Sequence, residues 1–319
     1  MKNISFLSNL VIILFLFSAI NNANCQEMQN NKNYDFSLGT QFGFVYGKSY
    51  EYVYESDSRN ELFSKLNYDL KPVYYLGISA DISRSNIMSG LGFFISLDFK
   101  IGIHGDSGIH ENRDWLDHNN RDKLTDYSFH INRTKGFYWI DFAVGMSIPV
   151  RSLFYLKPFL NGSWMHFSFT GRDGQGIYVN PSYNITVIYK GEIIRYRQDW
   201  YLIAAGLSIG TVKFFPISMD FTFQISPLTF CMARDDHLYS QHRVFMDFSG
   251  FGLFIEPSGR VSLSIKNFDI SLETAYRYIG RTLGPAYKDS WNTGNFSSAG
   301  SAGAGLSLLD TRFLFKIKL

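Results

Sequence analysis

Cysteine is nearly absent from this 319-residue chain, with thiols only at Cys25 and Cys231. A disulfide framework is thereby excluded as a source of stability. A surplus of one charge is also missing: 30 Lys and Arg against 28 Asp and Glu leave a formal +2. With no basic run and no recognisable nucleic-acid motif, nucleic acid is not an expected partner. Long apolar runs are missing except between Val11 and Ile20. That run is shorter than the ~20 residues a spanning helix needs. Helix-period stretches are scarce.

The leading segment has the order of a secretory signal: Lys2, the apolar run, then small and polar residues around Ala23. We expect a signal peptide over 1–25, removed near Cys25, and one mature unit over 26–319. Acylation of Cys25, as in a lipoprotein, is a second reading, but Asn24 is unusual just before such a cysteine.

What the chain does have is period-two alternation with many aromatics. In 91–104, Leu91, Phe93, Ile95, Leu97, Phe99, Ile101 and Ile103 share one face, opposite Ser96, Asp98, Lys100 and His104. Met219, Phe221, Phe223 and Ile225 alternate with Asp220, Thr222, Gln224 and Ser226, and Phe313, Phe315 and Ile317 alternate with Arg312, Leu314 and Lys316. These are strands with two unlike faces. A soluble sandwich also alternates. An export signal, an apolar–aromatic face and a terminal "FLFKIKL" favour an outer-membrane barrel, in which closure satisfies every backbone group.

The pattern predicts an all-β, ten-stranded antiparallel transmembrane β-barrel extending above the outer membrane. Its strands fall at about 35–54, 61–81, 88–104, 135–149, 154–169, 192–211, 216–230, 242–265, 268–280 and 301–319. A parity flip between Ile265 and Phe268 places a tight turn at Lys266–Asn267, and Pro257 to Arg260 reads as a bulge or kink. Short turns are expected near 82–87, 150–153 and 212–215, with long polar loops near 55–60, 105–134, 170–191, 231–241 and 281–300. The long loops belong on the extracellular side. Several strands are nearly twice the ~9–11 residues that cross a bilayer.

The polar stretch "ENRDWLDHNNRDKLTDYSFH", Glu111 to His130, then falls on the extracellular rim, as do Asp235, Asp236 and His237, with Glu51 at the end of the first strand. Wet loops are rich in such residues without any function. The spacing of His104, His110, His118, His130 and His237 fits no metal-ligand pattern, so no metal is expected. Ser128 and His130 share a strand face, yet no G-x-S-x-G elbow accompanies them.

In order and spacing, "SLGT" with "GKSYEYVY" (37–54), "DWLD" (114–117), "TDYSFH" (125–130), "FSFTGRDG" (167–174) and "RDDHLY" (234–239) resemble the omptins. These are ten-stranded outer-membrane endoproteases, and the resemblance spans essentially the whole mature chain. It implies a His–Asp dyad, His237 with Asp235, facing an acidic pair across an attacking water. Asp114 matches one member of that pair. Glu51 matches the acid at the base of a pocket for basic side chains, Asp126 an acid favouring a base after the cut, and Ser128 and His130 groove residues. It also implies peptide or protein substrates with basic residues, a monomeric barrel in outer-membrane lipid, lipopolysaccharide as an activator and no other cofactor.

Two positions depart from the family pattern. Asn112 stands where the second acid of the pair is expected; an amide still accepts a hydrogen bond but carries no charge. Ala233 stands where a second pocket acid is expected. The main expectation is a surface endopeptidase using a His–Asp-activated water. The alternatives are a catalytically impaired barrel acting as adhesin or binding protein, and a small channel.

Overall fold

The computed structural model describes residues 34–54, 61–88, 91–117, 120, 122–150, 154–180, 183–211, 216–239 and 243–319. The expected signal segment and Cys25 lie outside these residues. Thirteen strands form one antiparallel sheet: β1 (Asp35–Tyr54), β2 (Leu62–Met88), β3 (Leu91–Gly102), β4 (Gly105–Asp114), β5 (Asp126–Val150), β6 (Phe154–Asn180), β7 (Tyr183–Thr211), β8 (Ile217–His237), β9 (Arg243–Gly250), β10 (Phe254–Ile265), β11 (Phe268–Ile279), β12 (Gly284–Asp289) and β13 (Ser297–Lys318). β3 runs on into β4, β9 into β10 and β11 into β12, so the sheet is a ring of ten staves. It closes where β1 pairs with β13, from Ser37↔Lys318 up to Tyr54↔Ser301.

The alternation read from the sequence is the lipid-facing pattern. Phe221, Phe223, Phe313 and Phe315 point outward and are exposed, whereas Leu314, Arg312 and Lys100 are buried in the bore. A closed ring leaves no unpaired edge, which allows such a surface to face hydrocarbon. The bore is filled rather than open. Tyr75, Phe137, Trp139, Phe167, Phe169 and Trp200 are all essentially inaccessible, and Phe137 meets Phe167 edge-on at 5.4 Å. Lys100 Nζ lies 3.7 Å from the Trp139 ring centroid, and the Arg277 guanidinium lies 4.0 Å from the same ring. This packing argues against the channel reading.

Several boundaries differ from the sequence-based expectation. Most of the expected loop 105–134 is β4 and the first part of β5; of its described residues, 115–117, 120 and 122–125 lie outside these strands. The expected loop 170–191 is the top of a long β6–β7 hairpin paired up to Asn180↔Tyr183. Likewise β8 continues to His237, and β12 occupies part of 281–300. Above the membrane both faces of a stave meet water or protein, so apolar alternation fades while backbone pairing continues. The expected turn at 82–87 lies within β2.

The tight turn at Lys266–Asn267 is where parity placed it, with Lys266 at φ 54. Of the bulge or kink expected over Pro257 to Arg260, no bulge is found, since β10 keeps one register with β8 and with β11 across it; the β10–β11 ladder does skip Glu256 and Pro257. The stave instead breaks at 251–253, where Phe251 has φ 61.

Candidate active site

The extended upper staves bring the candidate residues to one mouth. Residues two apart on a strand share a face, which pairs Asn112 with Asp114 on β4, Ser128 with His130 on β5, and Asp235 with His237 on β8. Register completes the wall between β4 and β5: Asp114 lies opposite Asp126, Asn112 opposite Ser128, and His110 opposite His130. Glu51 enters from β1 through Leu66, which it shares as a cross-strand partner with Asn112.

A cavity of about 180 Å³ occupies the mouth, lined by His110, Asn112, Ser128, His130, Tyr178, Tyr189, Ile193, Ile194, His237 and Tyr239. On its β8 side, His237 Nε2 donates to Asp235 Oδ2 at 2.7 Å. Asp235 is 3% exposed, whereas about a third of the His237 side chain (34%) meets solvent. Nδ1 of His237 is thereby left with the lone pair. Burial disfavours the imidazolium, but the Asp235 carboxylate, through its charge and its hydrogen bond, holds the His237 pKa above its usual value.

On the opposite side, Asn112 is held at both ends of its amide. Its Nδ2 donates to Asp114 Oδ2 at 3.0 Å, and its Oδ1 accepts from Ser64 Oγ at 3.0 Å. Burial raises the Asp114 pKa to about 6, with hydrogen bonds from Ser64 and Asn112 and the charge of His237 working in the other direction. Burial also raises the Asp126 pKa.

His130 is fixed by a bulge in β6. Asp173 at φ 50 and Gly174 at φ 125 turn the backbone so that the Asp173 carbonyl accepts from His130 Nδ1 at 2.8 Å. Gly174 is required there, since a Cβ would lie 2.1 Å from the Phe129 carbonyl oxygen. Burial lowers the His130 pKa, so the ring favours its neutral form.

The floor is a run of stacked rings. His130 stacks on His110 (centroids 5.5 Å), His110 on Tyr68 (4.4 Å), and Tyr68 on Tyr196 (4.3 Å). Neither ring nitrogen of His110 has a partner, and burial pushes its pKa well below the usual value. Beneath the dyad, Glu51 (2% exposed) is joined by a residue that sequence reasoning missed, Asp247 on β9 (4% exposed). Their carboxyls are within hydrogen-bonding reach, and burial together with the charges of Asp235 and Asp247 raises the Glu51 pKa well above normal. The signal for Asp247 was an acid set among Phe245, Met246 and Phe248 in an otherwise apolar strand. Among the described residues, no group of three His, Cys, Asp or Glu side chains is arranged to hold a metal ion.

A closed ring with an apolar outer belt is the form in which strands cross an outer membrane, and the molecule is a Gram-negative outer-membrane β-barrel. The chain belongs to the omptin family, whose model matches residues 32–313. Among solved structures it is similar to the outer membrane protease OmpT of Escherichia coli, at 17% identity and a TM-score of 0.79, covering 89% of this chain and 97% of that one. The translocator domain of the autotransporter NalP from Neisseria meningitidis also aligns, at 9% identity over 99% of this chain and 98% of that one. Its TM-score of 0.38 is too low to carry an argument. No curated protein matches by sequence search.

Proposed function

We propose that the protein is a surface endopeptidase that cleaves peptides or proteins near basic residues with a water activated by His237 and Asp235. The observation that carries this reading is the 2.7 Å His237–Asp235 hydrogen bond on a cavity whose opposite wall holds Asn112 beside Asp114. The neutral form of an imidazole can take a proton from water, and a pKa held up by Asp235 makes His237 a stronger base once it is neutral. A carboxylate fixes its tautomer and stabilises the imidazolium that forms.

In the proposed step, His237 Nδ1 takes a proton from water while the water oxygen bonds to the peptide carbonyl carbon. The tetrahedral adduct then collapses. The C–N bond breaks, and the proton on His237 passes to the leaving amine nitrogen. No serine or cysteine nucleophile is needed. Asp114 and the Asn112 carbonyl oxygen orient the water, and the amide also spares the site a second buried carboxylate beside Asp114. Ser128 and His130 line the groove, Asp126 favours a base after the cut, and Glu51 receives a base before it.

Lipopolysaccharide is proposed as an activator. Exposed Lys135, Arg195 and Arg197 lie on the outer surface of the upper staves, where its phosphates would meet them. The monomeric barrel is proposed as the working unit. A second reading, a catalytically impaired barrel serving as an adhesin or binding protein, rests on Asn112. Both are tested by refolding the barrel with lipopolysaccharide and offering peptides that contain Arg-Lys or Arg-Arg. Wild type should cut far faster than His237→Ala; equal rates would support the binding reading.

A further inference from the structure

We propose that Asp247, together with Glu51, forms the receptor for a basic side chain of the bound peptide, and that Asp247 supplies from β9 the carboxylate that β8 lacks at Ala233. The proposal rests on the peptide-binding reading of the mouth and names the residue that sets its selectivity.

Register carries the first part of the argument. Ala233 on β8 lies directly opposite Asp247 on β9. Directly opposed residues of an antiparallel pair point to the same face, so both face the bore. Ala233 is two residues before Asp235, and a carboxylate on its cross-strand partner therefore occupies the neighbouring part of the same wall. Glu51 and Asp247 converge there from different staves, close enough for each to influence the other's ionisation.

Missing partners carry the second part. Glu51 Oε2 is buried without a hydrogen-bond partner, as are Asp235 Oδ1 and the Tyr68 hydroxyl. Among the described residues, no lysine or arginine forms an ion pair with Glu51 or Asp247; the nearest basic side chain is His237, which is bonded to Asp235. The residues directly opposite the two acids are Ala304 and Leu66 for Glu51, and Ala233 and Ala286 for Asp247. None can supply a charge. Buried acids are ordinarily paired or hydrogen-bonded. An unpartnered carboxylate oxygen among three acids is a place for a donor that the protein itself does not provide. A guanidinium or ammonium group on a substrate side chain has the charge and the donors to fill it, and an arginine can engage both carboxylates.

Binding and cleavage are measured separately so that the two readings fail separately. In the His237→Ala background, fluorescence anisotropy would compare peptides identical except for arginine or citrulline before the intended cut. The arginine peptide should bind at least tenfold more tightly, and Asp247→Asn should cut that preference about tenfold. Adding Ala233→Asp to Asp247→Ala should restore it, because the carboxylate returns to the same wall from β8. Asp247→Glu, scored for folding by heat-modifiable gel mobility, should keep the preference and guards against a merely misfolded variant. An unchanged arginine-to-citrulline ratio in folded Asp247→Asn would overturn the proposal, as would the lack of any preference in the parent. Retained preference without cleavage by wild type would leave the receptor standing and remove the protease reading.

Discussion

The lower and upper halves of the bore handle charge in opposite ways. In the lower half acids are matched by bases: Lys100 with Asp310 at 2.6 Å, Arg312 with Glu273 at 2.8 Å, Lys316 with Asp81 at 2.5 Å, Arg260 with Glu273 at 2.5 Å, and Arg277 with both Glu256 and Asp141. In the upper half Glu51, Asp114, Asp126, Asp235 and Asp247 crowd one mouth, and among the described residues His237, through Asp235, is the one basic side chain paired with any of them. Buried charges that are paired in this way hold staves together, and their charge is already met within the protein. The unmatched acids cost stability, and a site whose acids must meet a cationic peptide has a reason to keep them. Acids at the mouth would also draw such a peptide in.

Breaking the upper half should abolish chemistry without unfolding the barrel. Asp235→Asn removes the charge that stabilises protonated His237 and should lower kcat about 10²–10⁴-fold, read as cleavage of an Arg-Lys peptide at fixed lipopolysaccharide. Breaking the lower half should do the reverse. Arg277→Met leaves Glu256 and Asp141 without their cation and should destabilise the barrel by about 3–5 kcal/mol, seen as a lower urea midpoint. Glu51→Gln, which removes an unmatched acid, should not lower that midpoint.

A pH series sharpens the contrast further. Asp114 and Asp247 have folded pKa values of about 6 and about 7, both raised by burial from 3.8. Folded protein therefore takes up protons below these values that unfolded chain takes up only near 3.8. His237, also raised, gains its stabilising contact when protonated. All three contributions make the barrel more stable as pH falls from about 7 towards 4. Catalysis needs neutral His237 and ionised Asp114, so kcat/KM should fall over the upper part of the same range. Urea midpoints and initial rates moving in the same direction would contradict this. The smallest effect should come from Asn112→Asp, a change of up to about tenfold in kcat, with the Asp114 limb of the pH profile moved upward by the added neighbouring charge.

The membrane-spanning part of the fold was legible in the sequence because lipid imposes a strict rule: Phe221, Phe223, Phe313 and Phe315 had to share parity. The turn at Lys266–Asn267 was legible for the same reason, since a flip of parity can be counted. Above the membrane the rule lapses. Asp126 to Thr134 and Gly171 to Asn180 therefore read as loop although their backbones are paired. The positions of His237, Asp235, Asp114 and Glu51 came from short motifs in the right order. Asp247 belongs to no such motif, and only the β8–β9 register shows that it lies opposite Ala233. The stack of His130, His110, Tyr68 and Tyr196 draws on four separate strands, and no local pattern announces it.

The central claim, that His237 activates water at this mouth, is tested most directly by single-turnover cleavage of an Arg-Lys peptide by wild type and His237→Ala. Both would be refolded with lipopolysaccharide and matched for heat-modifiable gel mobility. A loss of at least a hundredfold in the variant is the predicted result. Equal rates in two equally folded barrels would contradict it.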